Sequence, residues 1–440
     1  MRILIRGARI LDPGRKDTVG DVAISDGVIT AMGPGAAEAM PDAERVVDAA
    51  ECLLVPGLVD MHVHLREPGQ EHKETIASGC RAAARGGFTA VCPMPNTDPP
   101  NDSPEVTDYI LQRATAANGV RVLPVAAITK GLAGEVLTDF GALKAHGAVA
   151  VSDDGQPVSS GAVMQQALET ARDHGLLVIS HSEDLSFSAG GHMNAGTASR
   201  RMGVAGVPNA AEFVMVARDI SLCEITGARL HIAHVSTQQS VLAIRKAKER
   251  GVPVSAETAP HYLFLTDQDV EKLGTDAKMS PPLRSEADRM ALREALTDGT
   301  IDAIATDHAP HSPDEKALPF EQAPNGVIGL ETSLGLGLQL VREGVLDMAQ
   351  LVEKMSCSPA GMVGIDRRLA VGAPADLTVI DPAASWTVRP ELFASRSRNT
   401  PFAGWRLPGR AVFTMAAGRV VFDAAMENDD PEHKTEKQYG

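Results

Sequence analysis

Aromatic residues make up only 3% of this 440-residue chain, so its core must be built from aliphatic side chains and alanine. Cysteine is scarce too. Cys52, Cys80, Cys92, Cys223 and Cys357 are scattered, odd in number and without a CxxC pair. That pattern excludes a disulfide framework and a zinc knuckle, and it suits reduced thiols in a cytoplasmic protein. No apolar run approaches the roughly 18 residues that a membrane helix needs. The opening MRILIRGARILDPG interleaves arginine with aliphatics, unlike the continuous apolar stretch of a secretory leader. Lysine and arginine total 41 against 57 acidic residues, a net charge of −16, and no basic run or stripe occurs. A nucleic-acid partner is therefore not expected, and an anionic substrate would need cations placed locally. No GxGxxG follows a strand-like run, no GxSxG elbow occurs, and no cysteine stands in an activated setting. These absences argue against a doubly wound open sheet and against a serine or cysteine nucleophile.

What is present is an ordinary globular composition, 44% hydrophobic and 22% charged, with ample material for a large core. The first fifty residues read as short strands (2–5, 21–24 and 28–32) separated by Asp12-Pro13-Gly14 and Asp26-Gly27. Eight apolar runs follow, at 53–63, 89–93, 121–128, 148–152, 176–180, 229–234, 253–257 and 301–306, with helical stretches between them. Ser103-Pro104 and the Ser285–Asp288 pair are helix starts, and Gly119, Gly175, Gly227 and Gly251 are helix stops. Strands buried on both faces and alternating with helices predict a parallel α/β sheet, and eight such units fit a (β/α)₈ barrel. Strand-and-turn character returns at 377–380, 410–415 and 418–422. We expect the two terminal β regions to pair. The predicted division is 1–54 and 359–426 as the two parts of a small β-sandwich, 55–358 as the barrel and 427–440 as a polar tail.

The chemistry concentrates at the ends of these runs. His62 and His64 stand two apart in VDMHVHL, which on a strand puts both on one face, about 6.6 Å apart. Asp60 is placed to orient one of them. His181, His234 and Asp307 each end an apolar run, and C-terminal strand ends form the active face of a barrel. Imidazoles with a carboxylate suit zinc best, ahead of manganese, cobalt or iron. The fourth run ends in VSDDG, so either Asp153 or Asp154 can bridge two metals; alternation does not choose between them. Two metals sharing a hydroxide supply a strong nucleophile near neutral pH, with Asp307 placed as ligand and base. The predicted reaction is hydrolysis of an amide-like bond, or its reversal. Arg66 in HLREPG, Asn96 in PMPNT and His311 in DHAPH can together bind an anionic group.

At DMHVHLREPG the chain resembles the dihydroorotases of the longer, bacterial class I type, within the amidohydrolase superfamily. MPNT, VSDDG, ISHSED, HIAHVST, ETAPHYL, ATDHAPH and GVIGLET carry the resemblance along nearly the whole chain. It implies reversible cyclisation of N-carbamoyl-L-aspartate to L-dihydroorotate in pyrimidine synthesis, with Zn²⁺, one or two ions per subunit. It implies metal ligands at His62, His64, Asp154, His181, His234 and Asp307, with Asp307 as the catalytic base. It implies substrate contacts at His64, Arg66, Asn96, Ser280, His311, Asn325 and Gly326. Ser280 stands where many relatives have Asn, a shorter reach that a water can fill. The loop 311–325 is expected to close over substrate. The resemblance also implies a homodimer and admits association with aspartate transcarbamoylase. Two other readings compete. One is another cyclic amidase (hydantoinase, dihydropyrimidinase or allantoinase), but these bridge their metals with a carboxylated lysine, and AVAVSDDG has none. The other is a non-catalytic partner of aspartate transcarbamoylase, which the full ligand set disfavours.

Overall fold

The computed structural model describes residues 1–117, 119–366 and 368–427. All but the first residue of the expected polar tail lies outside them. Five strands open the chain: β1 (Arg2–Asp12), β2 (Lys16–Ser25), β3 (Val28–Gly33), β4 (Arg45–Asp48) and β5 (Leu53–Pro56). The next run is β6 (Leu58–Val63), β7 (Phe88–Pro93), β8 (Arg121–Val122), β9 (Val125–Ala127), β10 (Ala150–Ser152) and β11 (Leu177–Ser180). A short pair, β12 (Met193–Asn194) and β13 (Gly206–Val207), precedes β14 (Leu230–Ile232), β15 (Val254–Thr258) and β16 (Ala303–Ile304). The chain closes with β17 (Leu377–Thr387), β18 (Arg406–Ala416) and β19 (Arg419–Asp423).

The terminal regions do pair. One eight-stranded sheet runs β19-β18-β17-β5-β1-β2-β3, with β4 on β1. Its far strand returns through a Val28–Pro374 bridge to the segment leading into β17, so the sheet curls around its own core. Ile3, Ile5, Ile10, Ile24, Leu54, Leu377, Val379 and Phe413 fill that core from both ends of the sequence.

The run 53–63 divides between the two units. Gly57 is the hinge: a Cβ there would lie 2.1 Å from Thr89 Oγ1, so no larger residue fits between β5 and β6. The run 121–128 also divides, at Pro124, which has no amide to give the ladder. The parallel order β6-β7-β8 continues through β9-β10-β11-β14-β15-β16. A Val63–His308 bridge, with His64 N donating to His308 O at 2.8 Å, closes the ring at eight positions. Met61, Cys92, Val125, Ala150, Ile179, Ala233 and Ala303 pack the interior, as in a (β/α)₈ barrel. The predicted helix signals hold at Ser285, whose capping box with Asp288 is formed, and at Gly175 and Gly227, left-handed caps with φ 64° and 67°. Among the described residues no helix is long and apolar enough to cross a membrane.

Candidate active site

At the C-terminal ends of the barrel strands, four imidazoles and two carboxylates converge. The ring centroids of His62 and His64 are 5.4 Å apart, those of His62 and His234 5.2 Å, and those of His181 and His234 4.7 Å. Asp154 lies among them: its oxygens are 3.2 Å from His62 Nε2, 3.4 Å from His181 Nδ1, and 3.6 Å from both His234 Nε2 and His64 Nε2. Asp307 Oδ1 is 3.1 Å from His64 Nε2 and 3.6 Å from His62 Nε2. His64 lies just past the end of β6, and the β6–β7 pairing slips between Asp60 and Val63. The two rings converge nonetheless.

The Asp153–Asp154 ambiguity resolves geometrically. Asp153 accepts the backbone amides of Val158 (2.8 Å) and His181 (2.9 Å), which turns its carboxylate away from the cluster. Asp60 does not orient an imidazole as expected. Its Oδ1 accepts the amides of His62 (3.2 Å) and Thr306 (3.1 Å), tying β6 to β16. The group that holds the His62 ring is Glu257, with Oε1 2.8 Å from Nδ1. Glu257 is in turn 3.3 Å from His231 Nε2, and His231 Nδ1 is 2.8 Å from Ser255 Oγ. Likewise Asn96 Oδ1 holds His64 Nδ1 at 2.9 Å, and Glu183 holds His181 Nε2 at 3.1 Å. Each distal nitrogen is thereby fixed, leaving His62 Nε2, His64 Nε2 and His181 Nδ1 facing the carboxylates. Glu257 and Glu183 were missed in the sequence. Glu257 ends the seventh apolar run, so the rule that found the histidines applied to it as well.

Burial opposes charge on all these groups, yet opposite partners override it. His62 and His181 are raised well above the usual imidazole range by the nearby carboxylates, Asp154 foremost. Asp154 and Asp307 are lowered by the surrounding histidines. The cluster thus demands positive charge between its carboxylates. Among the described residues no well-directed hydrogen bond reaches His62 Nε2, which is fully buried and has carboxylate oxygens beside it. An imidazole nitrogen left bare in such a place fits a divalent cation. Two sets have ligand atoms close enough to share an ion: His62, His64 and Asp307, and His62, Asp154 and His234. Replacing Glu257 with Gln keeps the shape but removes the charge behind His62. We expect metal affinity to fall about 10- to 100-fold, read by titrating metal into the stripped protein.

Beside the cluster lies Arg66, 8% exposed. Its Nε donates to Pro310 O at 3.1 Å, and Nη2 lies 3.3 Å from His311 Nε2. Among the described residues no carboxylate pairs with it. Burial lowers its pKa to about 10, so it remains charged near neutral pH. His311 Nε2 is 2.8 Å from Asn325 O, which only accepts, so that nitrogen carries the proton. Burial and Arg66 push the His311 pKa down, and the ring is neutral. Asn399 was also missed in the sequence: its Oδ1 accepts His311 N at 3.2 Å and its Nδ2 donates to Gly326 O at 3.0 Å. Gly326 has φ 145°, and a Cβ there would meet Ala309 O at 2.8 Å. Ser280 is half-buried, and no hydrogen bond among the described residues joins it to the cluster. Arg66, His234 and Asp307 all have positive φ, at 61°, 33° and 47°. Such strain costs about 1–3 kcal/mol per residue and gathers where function fixes the backbone.

The family model described as Dihydro-orotase-like matches residues 51–240. The dihydroorotase of Desulforapulum autotrophicum is 56% identical over 96% of this chain and 99% of its own. That of Geobacter metallireducens is 53% identical over 96% of this chain and all of its own. Among solved structures, the L-hydantoinase (dihydropyrimidinase) from Arthrobacter aurescens is 27% identical, with a TM-score of 0.85 and 96% of each chain covered. The fold is shared with the hydantoinases, while the sequence places the chain more narrowly: it belongs to the dihydroorotase family.

Proposed function

We propose that this enzyme closes N-carbamoyl-L-aspartate to L-dihydroorotate with loss of water, and reopens it, in de novo pyrimidine synthesis. The observation that carries this reading is Arg66. A buried guanidinium without a carboxylate partner is costly, and an anionic substrate would supply the missing partner. Dihydroorotate brings a carboxylate beside the cyclic amide that the His/Asp cluster must attack. The fold likeness to L-hydantoinase favours a competing activity on an uncharged ring, and Arg66 stands against it.

In this reading His62, His64, Asp154, His181, His234 and Asp307 hold the metal, one or two ions of zinc. When bound, the metal polarises the amide and activates water. The chain's own groups do the rest. Arg66 grips the carboxylate, with His311 beside it sharing its Nε2 proton between Asn325 O and the ligand, and Asn96, whose Nδ2 is only loosely engaged at 3.4 Å from Asp154, helps. The backbone at Asn325 and Gly326 borders the ring. Asp307, ionised and beside His64 Nε2, takes a proton from the attacking water and delivers it to the departing ring nitrogen. A cytoplasmic homodimer accords with the exposed Ile225, Leu242 and Met290, which stand on neighbouring outer helices Ala210–Thr226, Gln238–Glu249 and Glu286–Thr297.

The test follows loss of the dihydroorotate ultraviolet band alongside elemental analysis. Chelation is expected to remove the metal and bring turnover to background, with zinc restoring it at least as well as manganese or cobalt. Full turnover in metal-free protein would refute the metal assignment.

A further inference from the structure

Next to the anion-binding corner, an exposed stretch of chain is held by two buried lysines. Lys278 and Lys316 are 3% and 6% exposed. Lys278 Nζ donates to Phe320 O (2.6 Å), Glu321 O (3.2 Å) and Ala323 O (2.7 Å), filling all three of its donors. Lys316 Nζ donates to Pro324 O and Gly326 O, both at 3.0 Å. Two further bonds join the same segments: Gly326 N to Lys278 O at 2.9 Å and Thr275 Oγ1 to Lys316 O at 2.6 Å. Among the described residues neither ammonium has a carboxylate within ion-pair distance. Burying two unpaired cations to satisfy five carbonyls of one loop is an expensive way to close a turn.

The far end of this stretch is functional. Asn325 O receives the His311 Nε2 proton, and His311 lies against Arg66. A shift of the loop therefore passes directly to both groups. The charges also reach the corner: Lys316, Lys73 and Arg66 all act on the His311 ring. We propose that Lys278 and Lys316 are positioning residues that set the site's selectivity for a carboxylated ring, by clamping segment 320–326 so that Asn325 fixes His311 beside Arg66. The proposal rests on the reading of Arg66 and His311 as the carboxylate site. It also recasts the expected mobile cover over 311–325 as a latched wall.

The test is steady-state kinetics of the metal-loaded enzyme on dihydroorotate, comparing Lys278→Met, Lys316→Met, Lys278→Arg and Arg66→Met. Each methionine variant at lysine is expected to raise KM about tenfold or more with kcat within about threefold, the pattern of lost substrate binding. Lys278→Arg keeps the charge but cannot aim a planar fork at three converging carbonyls, so its KM falls between. Metal content should be unchanged, and limited proteolysis should cut the 317–325 stretch faster. If a methionine variant fails to fold, Lys278→Arg and Thr275→Val, which only loosens the clamp, carry the same comparison. Unchanged KM in the lysine variants, with KM raised in Arg66→Met, overturns the clamp and leaves the carboxylate site standing. Unchanged KM in Arg66→Met overturns both.

Discussion

Replacing Asp307 with asparagine is expected to lower kcat on dihydroorotate by roughly 1,000- to 10,000-fold while moving KM little. The substitution is nearly isosteric, so the packing around a residue 4% exposed is kept. What is lost is a carboxylate that faces both His62 and His64 and can carry a proton. Asp307 Oδ1 sits 3.1 Å from His64 Nε2, and the surrounding imidazoles hold the carboxyl ionised despite its burial. An amide there neither accepts the proton of the attacking water nor returns one to the ring nitrogen. Stopped-flow or steady-state kinetics, paired with metal analysis, check the effect. Retained metal with collapsed kcat assigns the loss to proton transfer, whereas retained kcat removes Asp307 from the chemistry.

The second large effect is at Arg66. Arg66→Met is expected to raise KM for dihydroorotate about 100-fold or more. Truncating one partner of a buried charge pair costs about 2–5 kcal/mol, and about 2.7 kcal/mol already corresponds to 100-fold. Methionine fills much of the same volume, so the loss is of charge and donors rather than of packing. The free enzyme should be no less stable, because the guanidinium is buried with no carboxylate partner among the described residues. Thermal unfolding of the substrate-free variant checks this half of the prediction.

The main lines of the site were legible because chemistry and strand ends coincide. His181, His234 and Asp307 close apolar runs, His62 and His64 straddle the end of another, and the barrel gathers such ends at one face. The choice between Asp153 and Asp154 was not legible from alternation, because β10 is only three residues long and both aspartates fall beyond it. The backbone amides of nearby Val158 and of the distant His181 hold the Asp153 carboxylate away from the cluster. Glu257 was legible by the strand-end rule, yet its apolar neighbours made it read as a strand terminus. Lys278, Lys316 and Asn399 were not legible at all. Their partners are backbone carbonyls or amides, which carry no sequence signature. The same holds for the split of 53–63 at Gly57, fixed by the approach of Thr89 from the next strand.

The most direct measurement compares kcat/KM for dihydroorotate and for dihydrouracil, the same ring without the carboxylate, in the wild type and in Arg66→Met. The account predicts a strong wild-type preference for dihydroorotate that collapses in the variant, with dihydrouracil turnover nearly unaffected by the substitution. Equal wild-type activity on both rings, or a preference that survives the loss of Arg66, would contradict it.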